Sequence, residues 1–328
     1  MAHAYFTGNT IDDVMHHAIK AILKKGEKIR PTKGGPKGAL ELIGALLEVT
    51  NPRARLSRTE TRGKSYSCLG ELCWYLAGSN ELSFIEYYIS LYRKSADRGR
   101  VFGGYGPRLL NWRGINQLEN VINLLKKKRD SRQAVIQLFD RHDILRKHKD
   151  IPCTCTLQFL RRHDKLHMVT NMRSNDAYKG LAHDIFCFTM LQEIVARSLS
   201  IDVGTYKHAV GSLHLYIADR IRAQQFLNEG WQPTINVAMP RMPIGDPWRS
   251  IKLLLDVESR IRTTGTFDDG ILDAVDPYWA DLMRLLQIFR YKTHPNRKKI
   301  EELRQGIASS VYLSFIDKVL IDLTRKKH

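Results

Sequence analysis

The sequence predicts an α+β fold, with strands in the middle of the chain and helices on both flanks. Residues 134–171 contain three short apolar segments that look like buried strands, and the segments around them have the apolar spacing of helices. The 328 residues are 43% hydrophobic, which suffices for a large core in one main domain with an appendage.

The first part of the chain is predicted to be mainly helical. Residues 11–25 form the first predicted helix, and a loop rich in Gly, Pro and Lys follows at 31–38. Residues 39–49 are predicted as a second helix, which ends at a turn formed by Asn51 and Pro52. Further features are an apolar segment around Glu71 at 67–76, a tight Gly-rich turn at 103–106, and helical spacing at 117–128.

The second part of the chain begins with strands and ends with charged helices. Predicted strands lie at 134–139, 156–160, 166–171 and 204–216, and an apolar helix is predicted at 184–199. Beyond Ala218 we predict a linker at 240–247 and helices at 277–290 and 298–322. These patterns divide the chain into a main domain at 1–235 and a C-terminal helical extension at 236–328.

The chain is strongly basic, with 52 Lys and Arg residues, 34 Asp and Glu residues and a formal net charge of +18. Such a charge would neutralise phosphates in a nucleic-acid binder, and it would also steer a small phosphorylated substrate towards an enzyme. The basic residues are scattered, with short clusters at 126–129, 141–149 and 325–328, and no RNA-binding aromatic signature or zinc finger accompanies them. Nucleic acid is therefore not the expected partner.

The sequence has no feature of a membrane or secreted protein. It contains no run of 18 or more apolar residues, and its N-terminus lacks a basic region followed by an apolar stretch. Its five cysteines have no paired CxxC spacing. We therefore expect reduced thiols and a cytoplasmic location, with no membrane contact.

Six segments resemble the thymidylate synthase family in their order and approximate spacing, over residues 65–218. They are GELCWYLAG (70–78), GGYGPR (103–108), NQLENVINLLKKKRDSRQAVI (116–136), IPCTCTLQF (151–159), RSNDAYKGLAHDIF (173–186) and GSLHLY (211–216). The resemblance implies a mixed central sheet flanked by helices, a homodimer with shared active sites, 5,10-methylenetetrahydrofolate as co-substrate, and no metal.

Cys153 follows Pro152, as the nucleophile of the family does. A thiolate suits this chemistry because C6 of a pyrimidine is a soft electrophile, and sulfur addition there makes C5 nucleophilic. A buried structural cysteine is the alternative. Cys155 matches no catalytic position, and Thr154 stands where the family usually has His.

Basic residues of the resembling segments imply a phosphate site. Arg173 and Ser174 match the phosphate-binding pair of the family, and the arginine also favours the ionised nucleophile. Arg132 matches an arginine that reaches the phosphate of the partner subunit, although Gln133 replaces the second arginine usually found there. Arg30 is a further candidate phosphate ligand. Each arginine alone would more often be a solvated surface charge.

The remaining candidates surround the base and the sugar. Glu71 matches the carboxylate that organises water and protons at the O4/N4 edge of the pyrimidine, with a salt bridge as the alternative. The other matches are Tyr105 beside the nucleophile, Gln158 and Asp176 near the base, and His214 and Tyr216 at the sugar 3′-hydroxyl.

Asp184 determines which base we expect. Family members that act on deoxyuridylate have Asn here, whereas deoxycytidylate hydroxymethylases have Asp. An amide complements N3–H and O4 of uracil, and a carboxyl group complements N4–H and a protonated N3 of cytosine. The alternative is that Asp184 only caps the helix it begins.

Two further departures bear on the reaction. Leu91 and Lys94 stand where synthases have an indole pair, with Tyr92 nearby, and the chain ends in DLTRKKH rather than in a short hydrophobic tail. Both family features shield an intermediate from water, so their absence favours addition of water.

The sequence thus predicts a one-carbon transferase that gives 5-hydroxymethyl-dCMP, or the CMP equivalent, through a Cys153–C6 adduct. The alternatives are a thymidylate synthase acting on dUMP and a non-catalytic nucleotide- or RNA-binding protein of the same fold.

Overall fold

The structure is a computed structural model, and it describes residues 4–31, 36–61, 63, 65–235, 237–265 and 268–325. Parts of the predicted loop at 31–38 and of the basic cluster at 325–328 lie outside the described residues.

A mixed sheet forms the centre of the described structure. Its strands are β1 (Tyr5–Gly8), β2 (Glu27–Ile29), β3 (Ala39–Val49), β4 (Val135–Gln137), β5 (Thr154–Arg162), β6 (Lys165–Asp176) and β7 (Asp202–Tyr216). The order across the sheet is β1-β3-β7-β6-β5-β4, with β2 paired to β3. The β1–β3 and β6–β7 pairs are parallel, and the other pairs are antiparallel.

Helices surround this sheet. They are α1 (Ile11–Lys25), α2 (Ser65–Leu76), α3 (Leu82–Tyr88), α4 (Tyr105–Leu110), α5 (Gln117–Lys127), α6 (Leu181–Ser198), α7 (Arg220–Asn228), α8 (Trp248–Thr263), α9 (Gly270–Asp273), α10 (Pro277–Thr293), α11 (Arg297–Gln305) and α12 (Leu313–Arg325). Short 3-10 turns lie at Ser90–Lys94, Arg141–Ile144, Ile217–Asp219 and Ser310–Tyr312. The predicted α+β class, with a mixed sheet and flanking helices, is confirmed.

The prediction of a helix at 39–49 is wrong, because these residues form β3. Leu, Ala and Glu favour a helix intrinsically, but this preference is weak and pairing on both sides overrides it. β3 pairs with β1 on one side and with β7 on the other. Ala45, Leu47 and Val49 are buried, which is the alternation of a strand. Gly44, with a φ of 70°, interrupts that alternation.

The C-terminal helices share one hydrophobic core with the rest of the molecule. α10 packs on α2 and α8, and the Phe289 ring lies 5.0 Å from that of Tyr88. The hydroxyl of Tyr88 donates to Glu258 on α8 at 2.9 Å. The division at residue 235 stays a prediction, and α2 and α3 are among the elements at which the two predicted parts meet. Among the described residues, no helix has the length and apolar character needed to cross a bilayer.

Candidate active site

A cavity of about 250 Å³ lies where strand ends of the sheet meet α2, α4 and α6. Because β6 and β7 are parallel, their C-terminal ends meet at one edge, where Asp176 lies opposite His214. The lining residues are Trp74, Tyr75, Tyr92, Ser95, Gly103, Gly104, Tyr105, Asp150, Ile151, Pro152, Cys153, Met172, Ser174, Asn175, Asp176, Gly180, Asp184, His214 and Tyr216.

Cys153 lines the cavity from the segment directly before β5. Arg173 holds this segment, since its backbone N–H donates to the Cys153 carbonyl at 2.8 Å and its guanidinium donates to the carbonyls of Ile151 and Pro152. One guanidinium nitrogen lies 3.6 Å from Cys153 Sγ. Burial raises the pKa of the thiol to about 11, although the charge of Arg173 lowers it. The thiol is therefore protonated in the free protein near neutral pH.

Tyr105 lies at the start of α4 and fixes the start of β5. Its hydroxyl accepts from the backbone N–H of Thr154 at 3.1 Å and from the Thr154 hydroxyl at 2.9 Å. Tyr105 thus holds the residue next to Cys153. Thr154, which replaces the family's usual His, is fully buried and points at Tyr105.

Asp184 and Glu71 are two carboxyl groups on the inner side of the site. Asn175 Nδ2 donates to Asp184 Oδ2 at 2.6 Å, and the hydroxyls of Tyr75 and Tyr92 donate to Glu71 Oε1 at 3.1 and 2.5 Å. Burial raises the pKa of Glu71 to about 7. Burial, together with the nearby charge of Glu71, raises the pKa of Asp184 to about 8. Both groups can hold or release a proton near neutral pH.

In the described part of the chain, Asp184 does not cap a helix and Glu71 does not form a salt bridge, which were the alternative roles considered for them. The N-cap of α6 is Gly180, and Asp184 lies within the first turn. Within the same described residues, the hydrogen-bond partners of Glu71 are tyrosine hydroxyls rather than a cation, and its Oε2 has no partner.

Polar residues from β6 and β7 complete the lining. The Asp176 carboxylate accepts the backbone N–H groups of Tyr178 and Lys179 at 2.8 and 2.9 Å, which fixes the turn into α6. Burial raises the pKa of Asp176. The rings of His214 and Tyr216 lie edge to face, with centroids 4.8 Å apart. Asp176, His214 and Tyr216, which were predicted near the base and the sugar, therefore line the same cavity as Cys153, whereas Gln158, also predicted near the base, does not.

The sequence pattern of the thymidylate synthase family matches residues 14–252. The chain belongs to this family. Similar proteins include the deoxyuridylate hydroxymethyltransferase of Bacillus phage SP01, 28% identical over 229 residues that make up 65% of this chain and 59% of that protein. The thymidylate synthase of Buchnera aphidicola is 29% identical over 205 residues, 60% of this chain and 76% of that protein. The deoxyuridylate hydroxymethyltransferase of Pseudomonas phage M6 is 33% identical over 152 residues, 45% of this chain and 43% of that protein. The chain thus covers less than two thirds of the length of each phage relative.

Five residues predicted from the thymidylate synthase resemblance are not among the described residues that line the cavity, namely Arg30, Glu71, Arg132, Gln158 and Arg173. Glu71 lies behind the lining residues Tyr75 and Tyr92, whose hydroxyls donate to it. Arg132 is exposed between α5 and β4, and its carbonyl accepts from the side chain of Gln158 at 2.9 Å. Arg30 is exposed directly after β2. Arg173 is exposed at the rim, where it contacts the nucleophile segment.

Several lining residues were missed by the sequence reasoning. Leu91 and Lys94, which were matched to the indole pair of synthases, are exposed, whereas Tyr92 between them bonds to Glu71. An indole is nevertheless present, because Trp74 on α2 lines the cavity 5.3 Å from the Tyr92 ring. Trp74 and Tyr75 follow Glu71 by three and four residues, and this spacing places them on one face of a helix. That signal could have found them.

Two other polar residues of the lining were also missed. Asn175 lies between Ser174 and Asp176, which were both predicted, and Asp150 directly precedes the IPC motif. Burial raises the pKa of Asp150 to about 6. Among the described residues, no group of three or more His, Cys, Asp or Glu side chains is arranged to hold a metal ion.

Proposed function

We propose that the protein transfers a one-carbon unit from 5,10-methylenetetrahydrofolate to C5 of a cytidine monophosphate, dCMP in preference to CMP, and releases the 5-hydroxymethyl nucleotide. The observation that carries this proposal is a carboxyl group, Asp184, on the wall of the cavity that the Cys153 thiol also lines. Family enzymes that act on deoxyuridylate have an amide at the matching position.

The first step is addition of Cys153 Sγ to C6 of the pyrimidine. The thiol gives up its proton as the S–C6 bond forms, and the guanidinium of Arg173, 3.6 Å from the sulfur, stabilises the developing thiolate. The electron pair of the C5–C6 double bond moves to C4–C5, and the pair of the C4–N3 double bond moves to N3. N3 must then take up a proton, which leaves C5 as the nucleophilic carbon of an enamine.

Asp184 is suited to supply the proton for N3. Because its pKa is about 8, this carboxyl group is mostly protonated near neutral pH in the free protein. A protonated carboxyl donates to the unprotonated N3 of cytosine, and after proton transfer the carboxylate accepts from N3–H and N4–H. Uracil offers N3–H and O4 instead, so the matching of donors and acceptors favours cytosine.

Carbon transfer then uses C5 as the nucleophile. C5 attacks the methylene carbon as its bond to N10 of the folate breaks, and N10 takes up a proton. C5 then loses its hydrogen as a proton, and the remaining bond from the methylene carbon to N5 breaks to release tetrahydrofolate. The exocyclic methylene group that results adds water, with loss of one proton from the water. N3 then returns its proton to the Asp184 carboxylate as the S–C6 bond breaks, which restores the aromatic ring and the Cys153 thiolate. We propose that Glu71, which bonds to the lining residues Tyr75 and Tyr92 and whose Oε2 has no hydrogen-bond partner among the described residues, orders that water at the cavity wall. The carboxyl group, whose pKa is about 7, can exchange its proton.

The exocyclic methylene group could also accept a hydride from the folate, which would give a methyl product. Aromatic side chains that exclude water from the cavity would favour that outcome. The indole pair is absent from the segment before the YG turn, but Trp74 and Tyr92 line the cavity. The proposal of a hydroxymethyl product therefore rests on Glu71 Oε2, to which no group in the described part of the chain is hydrogen-bonded, and on the similarity to two phage hydroxymethyltransferases.

Release of tritium from [5-³H]dCMP, [5-³H]CMP and [5-³H]dUMP with methylenetetrahydrofolate tests the reaction and the base. We expect release from dCMP, with a product heavier by CH₂O and with tetrahydrofolate as the folate product. A product heavier by CH₂, together with dihydrofolate, would instead show methylation. Absence of release from all three nucleotides would support a binding protein.

Asp184→Asn tests the base assignment directly. The amide cannot protonate N3, so kcat/KM for dCMP should fall by roughly 10- to 150-fold, as expected for loss of a hydrogen bond worth about 1.5–3 kcal/mol. Relative use of dUMP should rise, and binding of the phosphate should change little. An unchanged dCMP/dUMP ratio would remove the basis for choosing cytosine.

Hydroxymethylation of dUMP is the second candidate, and the names of the two phage relatives favour it. In that case the protonated Asp184 would donate to O4 and accept from N3–H. The same tritium assay decides between the two, since wild-type enzyme would then prefer dUMP and Asp184→Asn would keep or improve that activity.

A further inference from the structure

Behind Asp184, buried polar side chains form a continuous row through the sheet. Asn175 on β6 contacts Asp184, His208 on β7 contacts Asn175, and Tyr206 on the same strand contacts His208. All three are 5% exposed or less, so water is excluded from the row. A buried polar group that is not hydrogen-bonded costs free energy, and this row satisfies its members in series.

We propose that Asn175, His208 and Tyr206 form a directional relay that positions Asp184 and sets which of its oxygen atoms carries the proton, and thereby determines base specificity. This inference rests on the proposed function, because it concerns how Asp184 reads the pyrimidine. The three are positioning residues, since the relay acts through Asp184, although Asn175 also borders the cavity.

The direction of hydrogen-bond donation along the relay follows from the donors and acceptors of each side chain. Asn175 Oδ1 can only accept, so His208 Nε2, 3.2 Å away, must be the donor. Burial lowers the pKa of His208 to about 3, so the imidazole is neutral and its Nδ1 is an acceptor. The Tyr206 hydroxyl has one proton and two possible acceptors, His208 Nδ1 at 2.7 Å and Thr170 Oγ1 at 3.2 Å. The nearer acceptor, Nδ1, takes the proton in the relay.

The relay leaves one orientation for the Asn175 amide. Its oxygen faces His208, so its NH₂ group faces Asp184 and donates to Oδ2 at 2.6 Å. Oδ2 is therefore held as an acceptor, and the proton of the neutral carboxyl belongs on Oδ1. An Oδ1–H donor suits the unprotonated N3 of cytosine. Loss of the relay would allow the carboxyl group to rotate and to present either oxygen, which removes this preference.

The charges around Asp184 make the Asn175 bond important. Burial and the charges of Glu71 and Asp176 raise the pKa of Asp184, whereas the hydrogen bond from Asn175 lowers it. The other titratable groups that face Asp184 are the side chains of Tyr92, Tyr105, Cys153, Cys187 and Tyr206. Weakening the Asn175 bond should therefore move the alkaline limb of the activity profile to higher pH.

The experiment compares His208→Phe with His208→Gln. The phenyl ring fills the site and cannot donate, whereas Gln can direct its own NH₂ group at Asn175 Oδ1. We expect His208→Phe to lower kcat/KM for dCMP about 10-fold, mainly through kcat, and to lower kcat/KM for dUMP much less. His208→Gln should recover most of the dCMP preference, and Tyr206→Phe should lose part of it. Tyr312→Phe, which removes a hydroxyl from a buried tyrosine outside the cavity, is the matched control.

The melting temperature of each variant shows whether a loss of activity comes from a loss of fold stability or from a change in the position of Asp184. If His208→Phe does not fold, the comparison of Tyr206→Phe with Tyr312→Phe carries the test. Equal losses on dCMP and dUMP in the variants, with no recovery in His208→Gln, would overturn the relay while leaving the proposed reaction intact. A wild-type enzyme that releases tritium from dUMP but not from dCMP would overturn the proposed base, whatever the variants do.

Discussion

Cys153 and Cys155 show how much two residues along one segment can differ. The Cys153 side chain lines the cavity and lies 3.6 Å from the Arg173 guanidinium. Cys155 is not among the residues that line the cavity, and its carbonyl accepts the backbone N–H groups of Leu138 and Phe139. Of the two cysteines, only Cys153 lines the cavity, which supports its proposed role as the nucleophile.

Substitution of each cysteine tests this difference. Cys153→Ala should abolish product formation and covalent trapping by a 5-fluoropyrimidine nucleotide, because the attacking sulfur is gone. Cys155→Ala is the matched control and should keep substantial activity. Mass spectrometry of the intact protein measures the trapped adduct. Equal loss in both variants, or turnover by Cys153→Ala, would contradict the assignment.

The raised pKa values of Asp184 and Glu71 should also affect stability. In the unfolded chain these groups have pKa values near 4, whereas in the folded protein those of Asp184 and Glu71 are about 8 and 7. Between those limits the folded protein binds more protons than the unfolded chain, so the free energy of unfolding falls as the pH rises.

The nucleotide-free protein should therefore unfold at a lower temperature at pH 8.5 than at pH 6. Asp184→Asn removes one of the titrating groups, so its melting temperature should fall less over the same interval. Asp164→Asn serves as control, because Asp164 is exposed and its pKa is lowered by Arg161 and Arg129, so it does not titrate in this range. Identical pH dependence in wild type and Asp184→Asn would contradict the raised pKa.

At the level of elements, the strands and helices with clear apolar spacing were predicted from the sequence. α1 was predicted with its observed ends, and β5, β6, β7 and α6 within a few residues. β3 was missed because its composition favours a helix, and only its pairing with distant strands makes it extended. The same limit applies to the site. Motifs identified Cys153, but the contact of Asn175 with His208 joins two strands and cannot be read from either alone.

Helix α2 provides an element-scale test through Gly70, the residue before Glu71. A Cβ atom at this position would lie 2.1 Å from Cγ of the Tyr88 ring. Gly→Ala inside a helix ordinarily stabilises by about 0.5–1 kcal/mol, but here overpacking should cost about 1–3 kcal/mol. Gly70→Ala should therefore lower the melting temperature and reduce activity by displacing Glu71.

The control for this substitution is Gly270→Ala at the start of α9. There the nearest atom to a new Cβ would be Oδ1 of the flexible Asp268 side chain, at 3.2 Å. Its melting temperature should stay close to that of wild type. A Gly70→Ala protein as stable as wild type would show that α2 tolerates movement against α3.

At the level of the whole molecule, we propose a homodimer in which each site draws on both subunits. Arg132 is exposed and does not line the cavity of its own chain, as expected for a residue that reaches the partner's phosphate. The proposal makes activity depend on assembly.

Mixing two inactive variants tests shared sites. Arg132→Ala and Cys153→Ala should together recover about a quarter of wild-type activity, because half of the dimers are mixed and each mixed dimer has one intact site. Arg173→Ala mixed with Cys153→Ala is the control, since both residues belong to one subunit's site and no mixed dimer is intact. Subunit exchange is followed with differently tagged chains, and absence of recovery despite exchange would argue against shared sites.

The packing of α2 also has a consequence for the order in which the chain can mature on the ribosome. Glu71 lies on a helix whose neighbours include Phe289, which is 6.4 Å from Tyr66, and Glu258, which is bonded to Tyr88. The strands around Cys153 can pair once residue 216 has emerged, yet α2 reaches its final packing only after residue 289 has been translated. Domains generally fold as units during synthesis. In the nascent chain, the segment around Cys153 should therefore fold before Glu71 reaches its final position. The complete cavity would then form only late in translation.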